Sequence, residues 1–331
     1  MTDRSMAIAV LCSHLCMGDE IIPLEPKEYS EFVTLLDKKS LTPETLLSFS
    51  KEDYLEQLGV DEKQADRLHR LVDRSASLSF EISKYESMGI TLVTRADPWY
   101  PEKLKKKLKN SCPPLFYVAG DISLLKKEAI GYVGSRSVEE SDIAFTQTIV
   151  QRTVNSGYAV VSGGAKGTDS VAEEAALLND GFAIAYLSDS MLKKLRNAKT
   201  NQAVQQGRLL LLSVVIPSAG FNVGVAMMRN KYIYAQSEAT IVVKADYNKG
   251  GTWAGAIENL NKKYALTLCR NNLSYPGNKA IIERGAIPID EDWDGDIQHI
   301  EELKTGNSEE SITNVDTSEN NVQLSLFDTI E

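Results

Sequence analysis

Apolar residues recur in two different ways along the chain, and the change between them divides it into regions. Over residues 1–86, leucines and aromatic residues recur three or four positions apart, which predicts a module of short helices. Two helix starts are marked by a capping residue followed by proline or acids, at Thr42-Pro43-Glu44 and Ser50-Lys51-Glu52-Asp53. The pattern therefore predicts a small helical domain over residues 1–86.

Residues 87–289 show a second pattern, in which short continuous apolar runs come to alternate with helix-like stretches. Such alternation is typical of an α/β fold with a doubly wound parallel sheet covered on both faces. Two further strand-like runs, Ile90–Val93 and Leu115–Val118, stand among prolines at the start of this region. The strands predicted beyond them are Ala129–Val133, Tyr158–Val161, Phe182–Leu187, Leu209–Val214, Ala239–Val243 and Ala265–Leu268.

Residues 290–331 are polar and acidic, and their composition predicts a disordered tail. They hold 13 acidic side chains and one lysine, whereas the whole chain of 331 residues has a net charge of −10. The first 289 residues are therefore at +2, and a mildly basic body can bind phosphates through a local groove.

Several classes of protein are disfavoured by what the chain lacks. Its apolar runs are too short to cross a bilayer, and Met6–Cys12 is not followed by a signal-cleavage site, so we expect a cytoplasmic protein with no membrane contact. Four cysteines do not suggest a disulfide framework at this size. Cys12, His14 and Cys16 have no second ligand pair, so we interpret them as core residues and predict no metal and no cofactor.

Two glycine-rich turns carry the most specific chemistry. Each follows a predicted strand and precedes a predicted helix, where free N–H groups and the helix dipole favour an anion and glycine allows close approach. Arg136 and Lys166 add positive charge. The candidate phosphate-binding residues of these loops are Gly134, Ser135, Arg136, Ser162, Gly163, Gly164, Lys166, Gly167, Thr168 and Asp169. Thr168 or Asp169 is the expected helix cap.

Two later segments extend this candidate site. Arg229, Asn230 and Lys231 lie in an otherwise apolar helix, where they could pair with phosphates or form an exposed turn of an amphipathic helix. Gly250, Gly251 and Thr252 follow a predicted strand and open another helix, so they fall on the same edge of the sheet as the two glycine turns. The lysine-rich run 103–109 is compatible with either a DNA-binding patch or a solvated helix face.

Catalytic residues are hard to find in this region. The chain has no histidine between His69 and His299, and Asp169 is better explained as a helix cap. Ser135 and Ser162 have no base partner nearby in sequence. We therefore expect a protein that is not an enzyme.

Taken in order, these motifs resemble the DNA-processing protein A family (DprA, also called Smf). The resemblance runs over about 190 residues, from Tyr100-Pro101 through the two glycine loops, Arg229-Asn230 and Gly250-Gly251-Thr252 to Ile281–Ala286. It implies an extended Rossmann fold that binds single-stranded DNA, forms a homodimer and helps to load a RecA-type recombinase, without catalytic activity. Residues 1–86 resemble the sterile-alpha-motif-like module that often precedes this fold.

The sequence departs from the family pattern at several positions. Glu173 stands where the family usually has histidine, Lys244 where it usually has an acid, and Ala226-Met227 where Phe-Pro is common. These departures indicate a divergent member and leave its pathway open between transformation, recombination and phage defence.

The end of the acidic tail resembles the peptide by which bacterial replication proteins dock on the sliding clamp. Its residues are Gln323, Leu324, Ser325, Leu326 and Phe327. Leucine and phenylalanine would enter an apolar groove while glutamine fixes one end by hydrogen bonds. The alternative is an apolar cluster that has arisen by chance.

The sequence thus favours a single-stranded DNA-binding protein. The positive charge that binds the phosphates would come from Arg136, Lys166, Arg229 and Lys231. One alternative is a nucleotide sensor or nucleotide-cleaving enzyme, although Lys249-Gly250-Gly251-Thr252 lacks the proline and second Gly-Thr of the enzymes it resembles. Another is a DprA-like antitoxin or defence protein.

Overall fold

The computed structural model describes residues 1–17 and 21–300. Met1–Gly295 form one compact unit, and the described residues 296–300 belong to a second unit, in which 297–300 are helical. Most of the predicted acidic tail, including the clamp-like motif Gln323–Phe327, lies outside the described residues.

The helical prediction for residues 1–86 is confirmed. Ser50 accepts a hydrogen bond from the Asp53 N–H, and the Asp53 carboxylate accepts one from the Ser50 N–H, so this capping box starts a helix as expected. The Thr42-Pro43-Glu44 start instead opens a 3₁₀ helix, Pro43–Ser48. The α-helices of this region are α1 Asp3–Cys12, α2 Pro26–Lys38, α3 Lys51–Asp53, α4 Glu62–Asp73 and α5 Ser75–Glu86.

Nine strands in the described part of the chain form one sheet. They are β1 Thr91–Thr94, β2 Leu115–Ala119, β3 Ala129–Val133, β4 Ala159–Ser162, β5 Ala183–Leu187, β6 Leu209–Ser213, β7 Ala239–Val242, β8 Leu266–Arg270 and β9 Ile287–Ile289. Their order in the sheet is β1-β2-β6-β5-β4-β3-β7-β8-β9. The seven strands that follow β2 in this order run parallel. At the other edge, β2 pairs antiparallel with β6, and β1 pairs antiparallel with β2.

Helices pack against this sheet and against each other, as the α/β prediction requires. These helices are α6 Glu102–Leu108, α7 Glu140–Asn155, α8 Thr168–Leu178, α9 Met191–Leu195, α10 Ala198–Gln205, α11 Val223–Gln236, α12 Gly250–Lys262 and α13 Pro276–Glu283. In particular, α7 packs on α8, and α11 packs on both α6 and α12. Phe116, Tyr186 and Tyr232 meet in the core with ring centroids 5.8 to 5.9 Å apart.

The strand order reverses beside β3. From β3 the chain builds β4, β5 and β6 on one side and then returns to build β7, β8 and β9 on the other. In open α/β sheets a crevice forms at such a point, outside the carboxyl ends of the strands. The first glycine loop follows β3 directly, so it lies at this crevice.

The helical region is tied to the sheet by its first helix. The Ser13 and Tyr117 hydroxyls lie 2.8 Å apart, which links the end of α1 to β2, and the Ser5 hydroxyl donates to Asp97 at 2.7 Å. Cys12 is buried in this contact region, but His14 and Cys16 are exposed, so the core interpretation holds for Cys12 alone.

The described residues contain neither a metal-type cluster nor a membrane-spanning helix. Among them no three or more His, Cys, Asp or Glu side chains are grouped so that they could hold a metal ion. Likewise, no helix there is long and apolar enough to cross a membrane.

Candidate anion-binding cavity

A cavity of about 380 Å³ lies at the switch point of the sheet. Its walls come from the first glycine loop, the second glycine loop, the first turns of α11 and the N-terminus of α12. The structure thereby brings together residues that are more than 100 positions apart. The predicted site residues that line it are Gly134, Ser135, Arg136, Lys166, Asp169, Arg229, Asn230, Gly250, Gly251 and Thr252.

The loops around the cavity are hydrogen-bonded to one another. The Thr168 N–H and hydroxyl both donate to the Ser135 carbonyl, at 3.2 and 3.3 Å. The Thr252 hydroxyl donates to the Gly134 carbonyl at 2.9 Å. A Cβ on Gly134 would lie 2.2 Å from the Thr168 hydroxyl oxygen, so only glycine allows this approach. The cavity wall is therefore preformed.

Arg229 lies in the wall of the cavity and is only 4% exposed. Its Nη1 lies 3.4 Å from a carboxylate oxygen of Asp169, which is 7% exposed. Its Nε is buried without a hydrogen-bond partner among the described residues. An unpartnered buried donor is costly, and few polar groups of this kind occur in native proteins. The alternative interpretation of Arg229 as an exposed helix turn is wrong.

The second glycine loop places Asp169 for this pairing. Helix α8 begins at Thr168 with Gly167 as its N-cap, so the expected cap at Thr168 or Asp169 is wrong. Gly167 has a φ of +81°, a conformation that a residue with a side chain adopts only with strain. With Gly167 as the cap, the Asp169 side chain pairs with Arg229 instead of capping the helix. The Asp169 carboxylate also accepts the Ala165 N–H at 3.3 Å.

Beneath this loop a buried network holds its backbone in place. The Ser162 hydroxyl donates to Glu173, and the Lys194 ammonium lies 3.5 Å from the other Glu173 oxygen. Lys194 also donates to the Gly164 carbonyl at 2.7 Å. Burial raises the pKa of the Glu173 carboxyl, with Lys194 opposing the shift. The sequence marks Glu173 as a departure from the family pattern, whereas no pattern indicates Lys194.

The rim of the cavity combines exposed cations with exposed apolar side chains. The Arg136 guanidinium lies 4.7 Å from the centroid of the Phe221 ring. Phe221, Val223 and Met227 are 50%, 64% and 53% exposed, which is unusual for side chains of this size. Sequence reasoning missed these three. Val223 and Met227 are spaced to share a face of α11 with Asn230, and this spacing was the available signal.

Lys244 closes another side of the cavity. Its ammonium lies 2.7 Å from Glu139 and 3.2 Å from the fully buried Asp142, and these contacts raise its pKa. Arg270 lies 2.7 Å from the same Asp142 carboxylate, and the Tyr275 hydroxyl donates to it at 2.9 Å. Although burial alone opposes ionisation, hydrogen bonds from the Glu139 N–H, the Tyr275 hydroxyl and Lys244, together with the charge of Lys244, hold the pKa of Asp142 below its usual range.

The remaining predicted site residues do not line the cavity. Four of them support its wall instead: Thr168 and Gly167 as described, Ser162 through Glu173, and Gly163 by leaving room for Arg229. Gly164 lies behind the loop, where Lys194 binds its carbonyl. Lys231 is half-buried on another side of α11, and burial lowers its pKa.

A doubly wound parallel sheet with a cationic cavity at its switch point defines a Rossmann-type protein suited to phosphate ligands. The model of the DNA recombination-mediator protein A family matches residues 91–297, and the chain belongs to this family.

Individual relatives agree with this assignment. The chain is 26% identical over 244 residues to the Smf protein of Escherichia coli K12. This alignment covers 72% of this chain and 63% of the Escherichia coli protein. The match to the Smf protein of Synechocystis spans 50% of the Synechocystis protein. This chain therefore spans only about half to two thirds of these relatives.

Solved structures show the same fold. The DNA processing protein A of Streptococcus pneumoniae superposes with a TM-score of 0.62 at 20% identity, covering 81% of this chain and 95% of the other. The DNA processing protein A of Helicobacter pylori, described for its single-stranded DNA binding mode, superposes with a TM-score of 0.51 at 22% identity. The superposition covers 66% of this chain and 96% of the other.

Proposed function

We propose that this protein acts in DNA processing or recombination by binding single-stranded DNA in the cavity at the switch point. Family membership supports the general role, and the Helicobacter pylori relative is described as binding single-stranded DNA. The observation that carries the proposal is Arg229, a buried cation with an unpartnered Nε in the cavity wall. The positive charge of its guanidinium would attract a phosphate held in the cavity.

The rest of the cavity suits a strand rather than a bare anion. Arg136, Lys166 and Lys249 are exposed cations on its lining, and the N-terminus of α12 opens onto it. The apolar rim of Phe221, Val223 and Met227 offers surfaces on which bases can stack. Cations for the backbone and apolar faces for the bases are the combination that sequence-tolerant single-strand binding uses.

Fluorescence anisotropy with labelled oligo-dT tests this proposal. Arg136→Ala combined with Lys166→Ala removes two exposed cations, so affinity should fall and the salt dependence should weaken by about 0.7 in log–log slope for each lost phosphate contact. Lys63→Ala combined with Lys262→Ala is the matched control, because both lysines are exposed and the change in charge is equal. An unchanged affinity in the Arg136/Lys166 variant, or an equal loss in the control, would remove the site assignment.

A second candidate is a nucleotide-binding sensor, which the cavity volume of about 380 Å³ favours because small-ligand sites begin at about 300 Å³. Thermal-shift measurements separate the two. A rise in Tm with a mononucleotide and none with single-stranded DNA would favour the sensor. A nucleotide-cleaving enzyme is less suited, since the described lining holds no histidine or cysteine and one of its two acids, Asp169, pairs with Arg229.

The wider biology belongs to the same proposal. We propose a homodimer that assists a RecA-type recombinase in the cytoplasm and docks on the sliding clamp through Gln323–Phe327, without catalysing a reaction. The antitoxin or phage-defence role stays an alternative. The contribution of Lys231 also stays a prediction, because it lies off the cavity lining.

A further inference from the structure

A second and larger cavity adjoins the first. It measures about 890 Å³ and lies between α8, α9 and α10; we call it the α8–α10 groove. Lys166 lines both cavities, so the two meet at the second glycine loop. Helix α8 presents one face to the groove, with residues 170, 173, 174, 177 and 178 at helical spacing.

The groove has three exposed lysines, Lys166, Lys193 and Lys199. Its two other cations are already engaged, since Lys194 pairs with Glu173 at 3.5 Å and Arg208 pairs with Asp180 at 3.4 Å. The acids Glu174 and Asp189 also line the groove, so its attraction for anions is centred on the lysines rather than spread over the whole surface.

Apolar surface accompanies these lysines. Leu178 is 80% exposed, and Leu177 lies beside it on the groove wall. Leu178 and the three exposed lysines thus line the same groove. The rim of the first cavity is similar, since Arg136 and Lys166 line it together with Phe221 and Met227. Both surfaces offer a cation for a phosphate and an apolar face for a base.

We propose that the strand held in the first cavity continues over Lys166 into the α8–α10 groove, where Lys193 and Lys199 bind its phosphates and Leu178 contacts a base. This inference rests on the proposed function, because it extends the same strand by several nucleotides. The occupant follows from the shared lining residue and from charge: a nucleic-acid strand leaving the first cavity past Lys166 meets the next exposed lysines in this groove.

Binding as a function of strand length tests the proposal with the full chain. We expect the parent protein to bind oligo-dT of about 20 nucleotides more tightly than one of about 5, because only the longer strand reaches the groove. Lys193→Gln combined with Lys199→Gln should lower affinity for the long strand and reduce its salt slope by about 1.4, which corresponds to two phosphate contacts. The short strand should bind as before.

Lys63→Gln combined with Lys262→Gln is the control for the change in net charge, since both lysines are exposed and line neither cavity. An equal loss at both lengths, or no loss at either, would overturn the groove proposal while leaving the first cavity intact. Arg136→Ala should weaken both lengths. A parent protein that binds neither strand would instead overturn the proposed function, and the groove proposal with it.

Discussion

At the scale of single residues, the site depends on small residues that let large ones approach. A Cβ on Gly163 would lie 1.0 Å from the Arg229 Nη1 and 2.0 Å from its Cζ, so the guanidinium occupies the space that a side chain would need. Arg229 reaches Asp169 because of this opening. Gly163, which the sequence places among the candidate phosphate-binding residues, thus leaves the space that the Arg229 guanidinium occupies.

Gly163→Ala tests this arrangement. The added methyl group should displace Arg229 from Asp169, lower affinity for oligo-dT at least tenfold and lower the free energy of unfolding by about 1–3 kcal/mol, as overpacking does. Anisotropy well below the Tm and denaturant unfolding measure the two effects. Gly220→Ala is the control, because Gly220 is exposed and nothing lies within 4 Å of its added Cβ. Parent-like affinity in Gly163→Ala would mean that Arg229 does not need this position.

At the scale of elements, helix α8 links the cavity to the groove and carries the buried Glu173 between them. Glu173 connects the end of β4, through Ser162, to α9, through Lys194. Lys194 in turn binds the carbonyl of Gly164 in the second loop. The conformation of the second glycine loop therefore depends on the Glu173 carboxylate and on whether that carboxylate is ionised.

The stability of the protein should report this ionisation. Because the folded pKa of Glu173 is raised above its ordinary value of 4.5, the folded chain holds this proton more tightly than the unfolded chain. Ionisation of the buried carboxyl therefore lowers the free energy of unfolding. This loss is absent below the ordinary pKa and develops as the pH rises through the pKa of the folded state. In Glu173→Gln this loss is absent, so its Tm relative to the parent should rise as the pH increases above the ordinary value of 4.5.

Glu174→Gln is the matched control for this measurement, since Glu174 is the next residue of α8 but is exposed. Its Tm relative to the parent should stay nearly constant over the same range. A constant difference for Glu173→Gln as well would contradict the role of burial.

At the scale of the whole molecule, the distribution of charge matters more than its total. The net charge of −10 would argue against nucleic acid, but residues 290–331 carry −12 of it. The cavity collects its cations from four separate segments, and they are Arg136, Lys166, Arg229, Lys244 and Lys249. Local potential in a cleft, rather than net charge, governs the encounter with a phosphate strand.

The clamp-like motif is tested on the full chain. A pull-down should recover the bacterial sliding clamp with the full chain and lose it when residues 318–331 are removed. Leu324→Ala combined with Phe327→Ala should behave like the truncation, because these side chains would fill the apolar groove. Ile312→Ala combined with Val315→Ala is the control for apolar residues elsewhere in the tail. Equal recovery from the full and truncated chains would refute the docking motif.

Much of the architecture could be predicted from local pattern. The strands β1 to β8 lie within two residues of their predicted bounds, since continuous apolar runs between turns leave few alternatives. Strand β9 was not predicted, because it is three residues long and contains Pro288, which cannot donate to a sheet. The paired acids and bases around Asp142 were also beyond prediction, since Lys244 and Arg270 lie more than 100 residues away.

The order of strands and helices, the positions of the glycine loops and the family they indicate are all readable from local sequence, because they depend on neighbouring residues. Which residues share the cavity depends on the folded chain. In the fold, Arg229 is buried against Asp169, Lys231 lies off the cavity lining, and Phe221 and Met227 lie at the rim. Burial and pairing follow from contacts across the switch point, between segments that local periodicity cannot relate.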